Sequence, residues 1–221
     1  NDVIGDGTGN DVVVGGLGND AITAAAGTDN FSGGDGNDSF AMGANWTTSD
    51  TVSGGAGADT LTVTVDDGTV TAGTTTGVET ITGTFDSSTD VLALAKVSGL
   101  YTIKIATNAN ADTVNITGIN SGATFINGDT NADTVVLDTA AAATLTIDQQ
   151  AVSATSTTIT DAATVVLQNT GSSTGGLTSL VLDSTDTTSL TINAGTSASV
   201  DADIVTGSDK VATLALTGQT T

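Results

Sequence analysis

The sequence predicts an all-β protein: a parallel roll of short strands over residues 1–65, then an irregular, parallel β-helix-like solenoid over 66–221. A β-sandwich is the alternative for the second part. Three observations carry this. Asp2, Asp11, Asp20, Asp29, Asp38, Asp50 and Asp59 recur at nine-residue steps broken once by a step of twelve. The residue two places after each, Ile4, Val13, Ile22, Phe31, Phe40, Val52 and Leu61, is apolar every time. Finally, the 221 residues include 28 Gly and no Pro, with 3% aromatics, a composition suited to many short strands that each pack only on neighbouring coils.

The best copies of the repeat read Gly15-Gly16-Leu17-Gly18-Asn19-Asp20, Gly33-Gly34-Asp35-Gly36-Asn37-Asp38 and Gly54-Gly55-Ala56-Gly57-Ala58-Asp59, each followed by a short strand. Glycine at the first, second and fourth positions permits positive φ and a close approach of backbone to a ligand. Such a turn offers peptide carbonyls and one carboxylate, the oxygen donors that Ca²⁺ takes at flexible geometry. If each nine-residue unit is half a coil, alternate turns fall on two edges, and each edge carries a column of aspartates about 4.8 Å apart. Neighbouring carboxylates at that spacing repel by about 3.5 kcal/mol at an effective dielectric of 20, so the stack is expected to need calcium between its turns.

The two edges differ. Asp2, Asp20, Asp38 and Asp59 share one, and its complete turns keep every glycine. On the other, Asp6-Gly7-Thr8-Gly9-Asn10-Asp11 is nearly regular, whereas the turns ending at Asp29 and Asp50 have lost two and all of their glycines. That edge is expected to bind calcium poorly or not at all.

Beyond Val65 the nine-residue period stops and Thr, Ala, Val and Ser take over. Strands are expected at 78–81, 101–105, 113–116, 134–137, 144–147, 164–167, 179–182, 189–192 and 211–216, and residues 90–97 as a strand or a single helical turn. Asn110-Ala111-Asp112-Thr113-Val114 and Asn131-Ala132-Asp133-Thr134-Val135 echo the repeat 21 residues apart, a length suited to one larger coil. Asp112 and Asp133 are therefore further metal candidates, ranking behind the others, while Asp66, Asp67, Asp129, Asp201 and Asp203 read as solvated turns.

Twenty-five acidic residues against three lysines, Lys96, Lys104 and Lys210, give a formal net charge of −22, which excludes phosphate-backbone binding and makes cations the expected partner. The absence of Cys and His removes disulfides, thiol and imidazole nucleophiles and the usual zinc ligands. A lone Glu79 and one Trp46 do not make a two-carboxylate glycosidase cleft, and no Gly-x-Ser-x-Gly elbow is present, so no catalytic or organic-cofactor residues are expected. No run of 18 apolar residues exists. The sequence opens at the fifth position of a repeat without a signal peptide, as a piece cut from a longer chain would.

The nonapeptide pattern G-G-x-G-x-D-x-U-x resembles the RTX calcium-binding repeat. That resemblance implies a β-roll over 1–65, export unfolded by type I secretion and folding by calcium outside the cell. It carries the liganding role to Asp2, Asp11, Asp20, Asp38 and Asp59 with Gly7, Gly9, Gly15, Gly16, Gly18, Gly33, Gly34, Gly36, Gly54, Gly55 and Gly57. Asp29 and Asp50 are the degraded positions. The Thr/Ala/Val-rich remainder, with Gly77-Val78-Glu79-Thr80-Ile81, is similar to bacterial surface-layer proteins. For these the resemblance implies a cell-surface location, self-association into a lattice and a cell-surface polysaccharide as a further partner. A giant RTX adhesin or ligand-binding protein, and the RTX part of a secreted hydrolase or toxin, are the alternatives.

Overall fold

A computed structural model describes residues 1–66, 68–86, 89–108, 113–128, 134–148, 156–168, 179–182, 189–193, 203–206 and 213–217. Every strand pairing in it is parallel, and the described residues contain no helix. The roll begins with β1 (Val3–Gly5), β2 (Val12–Leu17), β3 (Ala21–Thr23), β4 (Asn30–Asp35), β5 (Ser39–Gly43), β6 (Thr51–Ala56) and β7 (Thr60–Val65). Odd-numbered strands stack in one sheet and even-numbered strands in another, so successive repeats do alternate between two faces. The first coils advance by 18 residues, as Val3 pairs with Ala21 and Val12 with Asn30. All seven apolar positions point inward: Ile22, Phe31, Phe40, Val52 and Leu61 are fully buried, Val13 nearly so, and Ile4 packs at the edge of the core.

The twelve-residue step widens the coil. Trp46, in the loop that follows β5, is buried, and its neighbourhood includes Thr69, Val70 and Thr71, where a third face starts with β8 (Thr69–Thr71). β9 (Thr74–Thr76) and β10 (Thr80–Phe85) complete the first three-faced coil, and β11 (Thr89–Ala93) begins the next by stacking on β8. The ladder of the first sheet continues without a break across this change, with Thr60 opposite Thr80 and Val65 opposite Phe85.

β12 (Thr102–Asn108), β13 (Thr113–Ile119), β14 (Thr124–Asn127), β15 (Thr134–Asp148), β16 (Ser156–Gln168), β17 (Ser179–Leu182), β18 (Ser189–Asn193), β19 (Asp203–Thr206) and β20 (Thr213–Thr217) extend the solenoid. β15 and β16 each turn a corner: their first parts pair in the β13 column and their last parts in the β14 and β18 columns. Thr113 pairs with Thr134, so the repeat echo spaced by 21 residues is one coil, and Val114 and Val135 are its buried inward pair. Residues 90–97 form most of β11 followed by a tight turn. The second region is therefore a parallel solenoid, and the sandwich alternative, which requires antiparallel sheets, does not describe it.

Candidate metal centre

Two kinds of glycine position build each turn. At the second and fourth positions the glycines have positive φ, as at Gly34 (113°) and Gly36 (134°), where any side chain would be strained. First-position glycines lie outside the left-handed region and are required for space instead. A Cβ on Gly15 would stand 2.5 Å from Asp20 Oδ2 and 2.7 Å from the Gly33 carbonyl oxygen. Gly33 repeats this with Asp38 Oδ2 and the Gly54 carbonyl, and Gly54 with Asp59 Oδ2 and the Gly77 carbonyl.

Each aspartate on the first edge divides its work between two oxygens. Asp20 Oδ1 accepts the Asp2 N–H at 2.5 Å, Asp38 Oδ1 accepts the Asp20 N–H at 2.7 Å, and Asp59 Oδ1 accepts the Asp38 N–H at 2.7 Å. These charge-assisted bonds tie each coil to the one before it. The other oxygens, Oδ2 of Asp20, Asp38 and Asp59, are buried and have no hydrogen-bond partner. Each shares with a carbonyl oxygen of the next coil the space that a Cβ on the first-position glycine would fill. A buried carboxylate oxygen beside a carbonyl, with no donor between them, is costly unless a cation joins them. This all-oxygen donor set of carboxylate and peptide carbonyl fits calcium, which accepts irregular oxygen cages. Burial pushes the Asp59 carboxyl above the usual carboxylate range, and the Asp38 and Glu79 carboxylates add to the rise against the lowering effect of the donated Asp38 N–H.

On the second edge the structure separates two residues that the sequence grouped together. Asp50 Oδ1 accepts the Asp29 N–H at 2.9 Å, and its Oδ2 accepts from the Thr47 N–H at 2.7 Å and hydroxyl at 3.1 Å, so both oxygens are used within the fold. Asp29 Oδ1 accepts the Asp11 N–H at 3.0 Å, and carboxylate oxygens of Asp6, Asp11 and Asp29 lie within 4.8 Å of one another. Oδ2 of Asp6 and of Asp11 are buried without partners. Asp6 stands at the first position of its turn in place of glycine and so brings a carboxylate to the edge that is poorest in glycine. Asp2 is exposed, and Asp112 and Asp133 lie outside the described residues.

Three features escape a reading of the aspartate period alone. Asp6 is one. Glu79 is the second: its Oε2 accepts the Asp59 N–H at 2.7 Å, in line with the aspartate column, and Glu79-Thr80-Ile81 copies Asp59-Thr60-Leu61. The third is an asparagine ladder one residue earlier. Asn19 Oδ1 accepts the Asn37 N–H and Asn37 Oδ1 the Ala58 N–H, both at 2.9 Å, and Asn10 Oδ1 the Thr28 N–H at 3.1 Å. Asparagine accepts from the following coil and aspartate from the preceding one, so adjacent residues clamp each turn in both directions. The recurring Asn at the fifth position was the available signal.

Residues 6–40 and 47–69 match the RTX calcium-binding nonapeptide repeat, in four copies. Neither the curated proteins nor the solved structures contain a match to the chain. The opening coils are an RTX β-roll, and repeats of this kind are typical of calcium-binding segments of secreted proteins. Among the described residues, no helix is long and apolar enough to cross a membrane.

Proposed function

We propose that the chain is a structural, calcium-set segment of a bacterial surface-layer or cell-surface scaffold protein, non-catalytic in itself. It is exported unfolded through a type I route, folds on meeting extracellular calcium, and associates with copies of itself in a lattice held to a cell-surface polysaccharide. The supporting observation is the unbroken ladder from β7 to β10, which joins the aspartate-bearing roll to a long solenoid of Thr-, Ala- and Val-rich coils. Calcium at one end thereby sets the register of a continuous stack. The described carboxylate cluster, Asp6, Asp11 and Asp29, has metal-ligand chemistry. With no His or Cys in the chain, a nucleophile with an imidazole base has no residues from which to be made.

The test is electron microscopy of the protein that carries this chain, in millimolar calcium and in chelator. Ordered two-dimensional arrays that dissolve on chelation are expected. A protein that stays monomeric in calcium while binding a defined glycan or receptor overturns the scaffold reading in favour of an adhesin.

A further inference from the structure

The cradle around Asp59 is closed by residues that lie beyond the matched repeats. In the two cradles before it, the carbonyl facing the buried Oδ2 belongs to the first-position glycine of the next motif, Gly33 or Gly54. In the third it belongs to Gly77, which follows the last matched residue, 69, and sits in a turn without the motif. The ladder explains the placement: Ser53 pairs with Thr76, which brings Gly77 beside Gly54. Gly77 has a φ of 59°, so this residue too is held in the left-handed region.

The carboxylate of the missing motif is also replaced. Five residue steps separate Gly54 from Asp59, but only two separate Gly77 from Glu79. The shorter turn is matched by a longer side chain. Glu79 Oε2 reaches the Asp59 N–H at 2.7 Å, the same bond at the same length that Asp59 Oδ1 makes to the Asp38 N–H. Val78, in the place that asparagine takes in the repeats, is buried and anchors the turn to the core. Asp59 itself is fully buried, with Oδ2 unpartnered and aimed into this cradle.

We propose that Asp59, the Gly77 carbonyl and Glu79 form a further divalent-cation site that closes the column one coil past the RTX repeats. The inference rests on the calcium reading of the aspartate column and extends it to a glutamate turn that the motif does not describe. Glu79 supplies the terminal negative charge as well as the hydrogen bond, and the first three-faced coil is thereby fastened to the roll by a metal ion.

Glu79→Gln separates the two roles, since the amide oxygen can still accept the Asp59 N–H while the charge is gone. Calcium bound to the full chain is counted by equilibrium dialysis, with circular dichroism at saturating calcium as the check on folding. The variant is expected to keep the parent's spectrum and lose one calcium per chain, with Asp20→Asn losing a different one. A Glu79→Gln chain that binds the parent's number of ions with unchanged affinity overturns the site, whereas a parent chain that binds none overturns the column itself. Terbium-soaked crystals of the parent give a test independent of any variant. Anomalous peaks beside Asp20 and Asp38 with none between Asp59 and Gly77 would also overturn it.

Discussion

At Asp20 and Asp38 one carboxylate oxygen is committed to a backbone N–H and the other is buried without a donor, whereas at Asp50 both are satisfied by the protein. Replacing Asp20 or Asp38 by Ala should therefore raise the calcium needed for folding by on the order of tenfold, about 1.4 kcal/mol, in a titration followed by far-UV circular dichroism. Asp50→Ala should leave that midpoint nearly unchanged and instead cost about 1–3 kcal/mol of stability through the loop bonds it breaks. Asp29→Asn should fall between them, because Asp29 adds a carboxylate to Asp6 and Asp11. The spacing alone showed which aspartates share an edge. It could not show whether Thr47 would turn back onto Asp50, since that contact depends on how the inserted loop folds.

Protonation works against the metal at the same oxygens. The Asp59 carboxyl is pushed up, chiefly by burial, so its protonated form is favoured in the folded state. Its contribution to stability is full below the unfolded carboxylate pKa and is lost as pH rises through the raised folded value. In chelator the roll should consequently be best ordered near pH 4 and lose order toward neutrality, while in millimolar calcium the dependence reverses because the metal replaces the proton. Circular dichroism across pH in both media checks this. A roll that loses order on acidification in chelator would contradict the raised Asp59 carboxyl.

At the scale of the strand, most of the solenoid was readable, but β8 and β9, where the coil widens, were not. β17 falls on the span expected for it, and β12, β13, β18 and β20 lie within a few residues of theirs, because leucine, isoleucine or valine recurs at every second residue there. β8 and β9 are Thr-Val-Thr and Thr-Thr-Thr, three residues each. Period-two alternation cannot be seen in a stretch that short, and in β9 the inward residue is Thr75, fully buried without being apolar. Ladder side chains were equally hidden, since Asn at the fifth position looks like ordinary turn chemistry. Asn37→Ala should cost about 0.5–1.5 kcal/mol by removing the acceptor for the Ala58 N–H, with little change in the number of calcium ions bound. Phe31→Ala, in the fully buried inward column, should cost about 3–5 kcal/mol. Both are measured by denaturant unfolding in saturating calcium.

For the whole molecule the question is how far calcium's influence travels along the stack. Each coil packs only on its neighbours, so stability is a sum of coil and interface contributions rather than one all-or-none quantity. Among the described residues, the orphaned carboxylate oxygens lie between residues 6 and 59, while coils from Tyr101 onward bury Ile103, Ile105, Val114, Ile116 and Phe125. Removing calcium should therefore unravel the roll from β1 through β7 and leave the later coils folded, with β10 as the exposed end once Leu61, Val63 and Val65 are withdrawn from it. Hydrogen exchange read by mass spectrometry should show protection over 1–65 only in millimolar calcium, partial dependence over 74–85, and equal protection in both conditions over 102–148. The same division predicts that excising 1–65 leaves a folded, less soluble remainder. If protection over 102–148 collapses together with that over 1–65 in chelator, the continuous Thr60–Thr80 ladder couples the two regions into one cooperative unit, and the boundary at residue 65 marks a change of sequence without a change of folding unit.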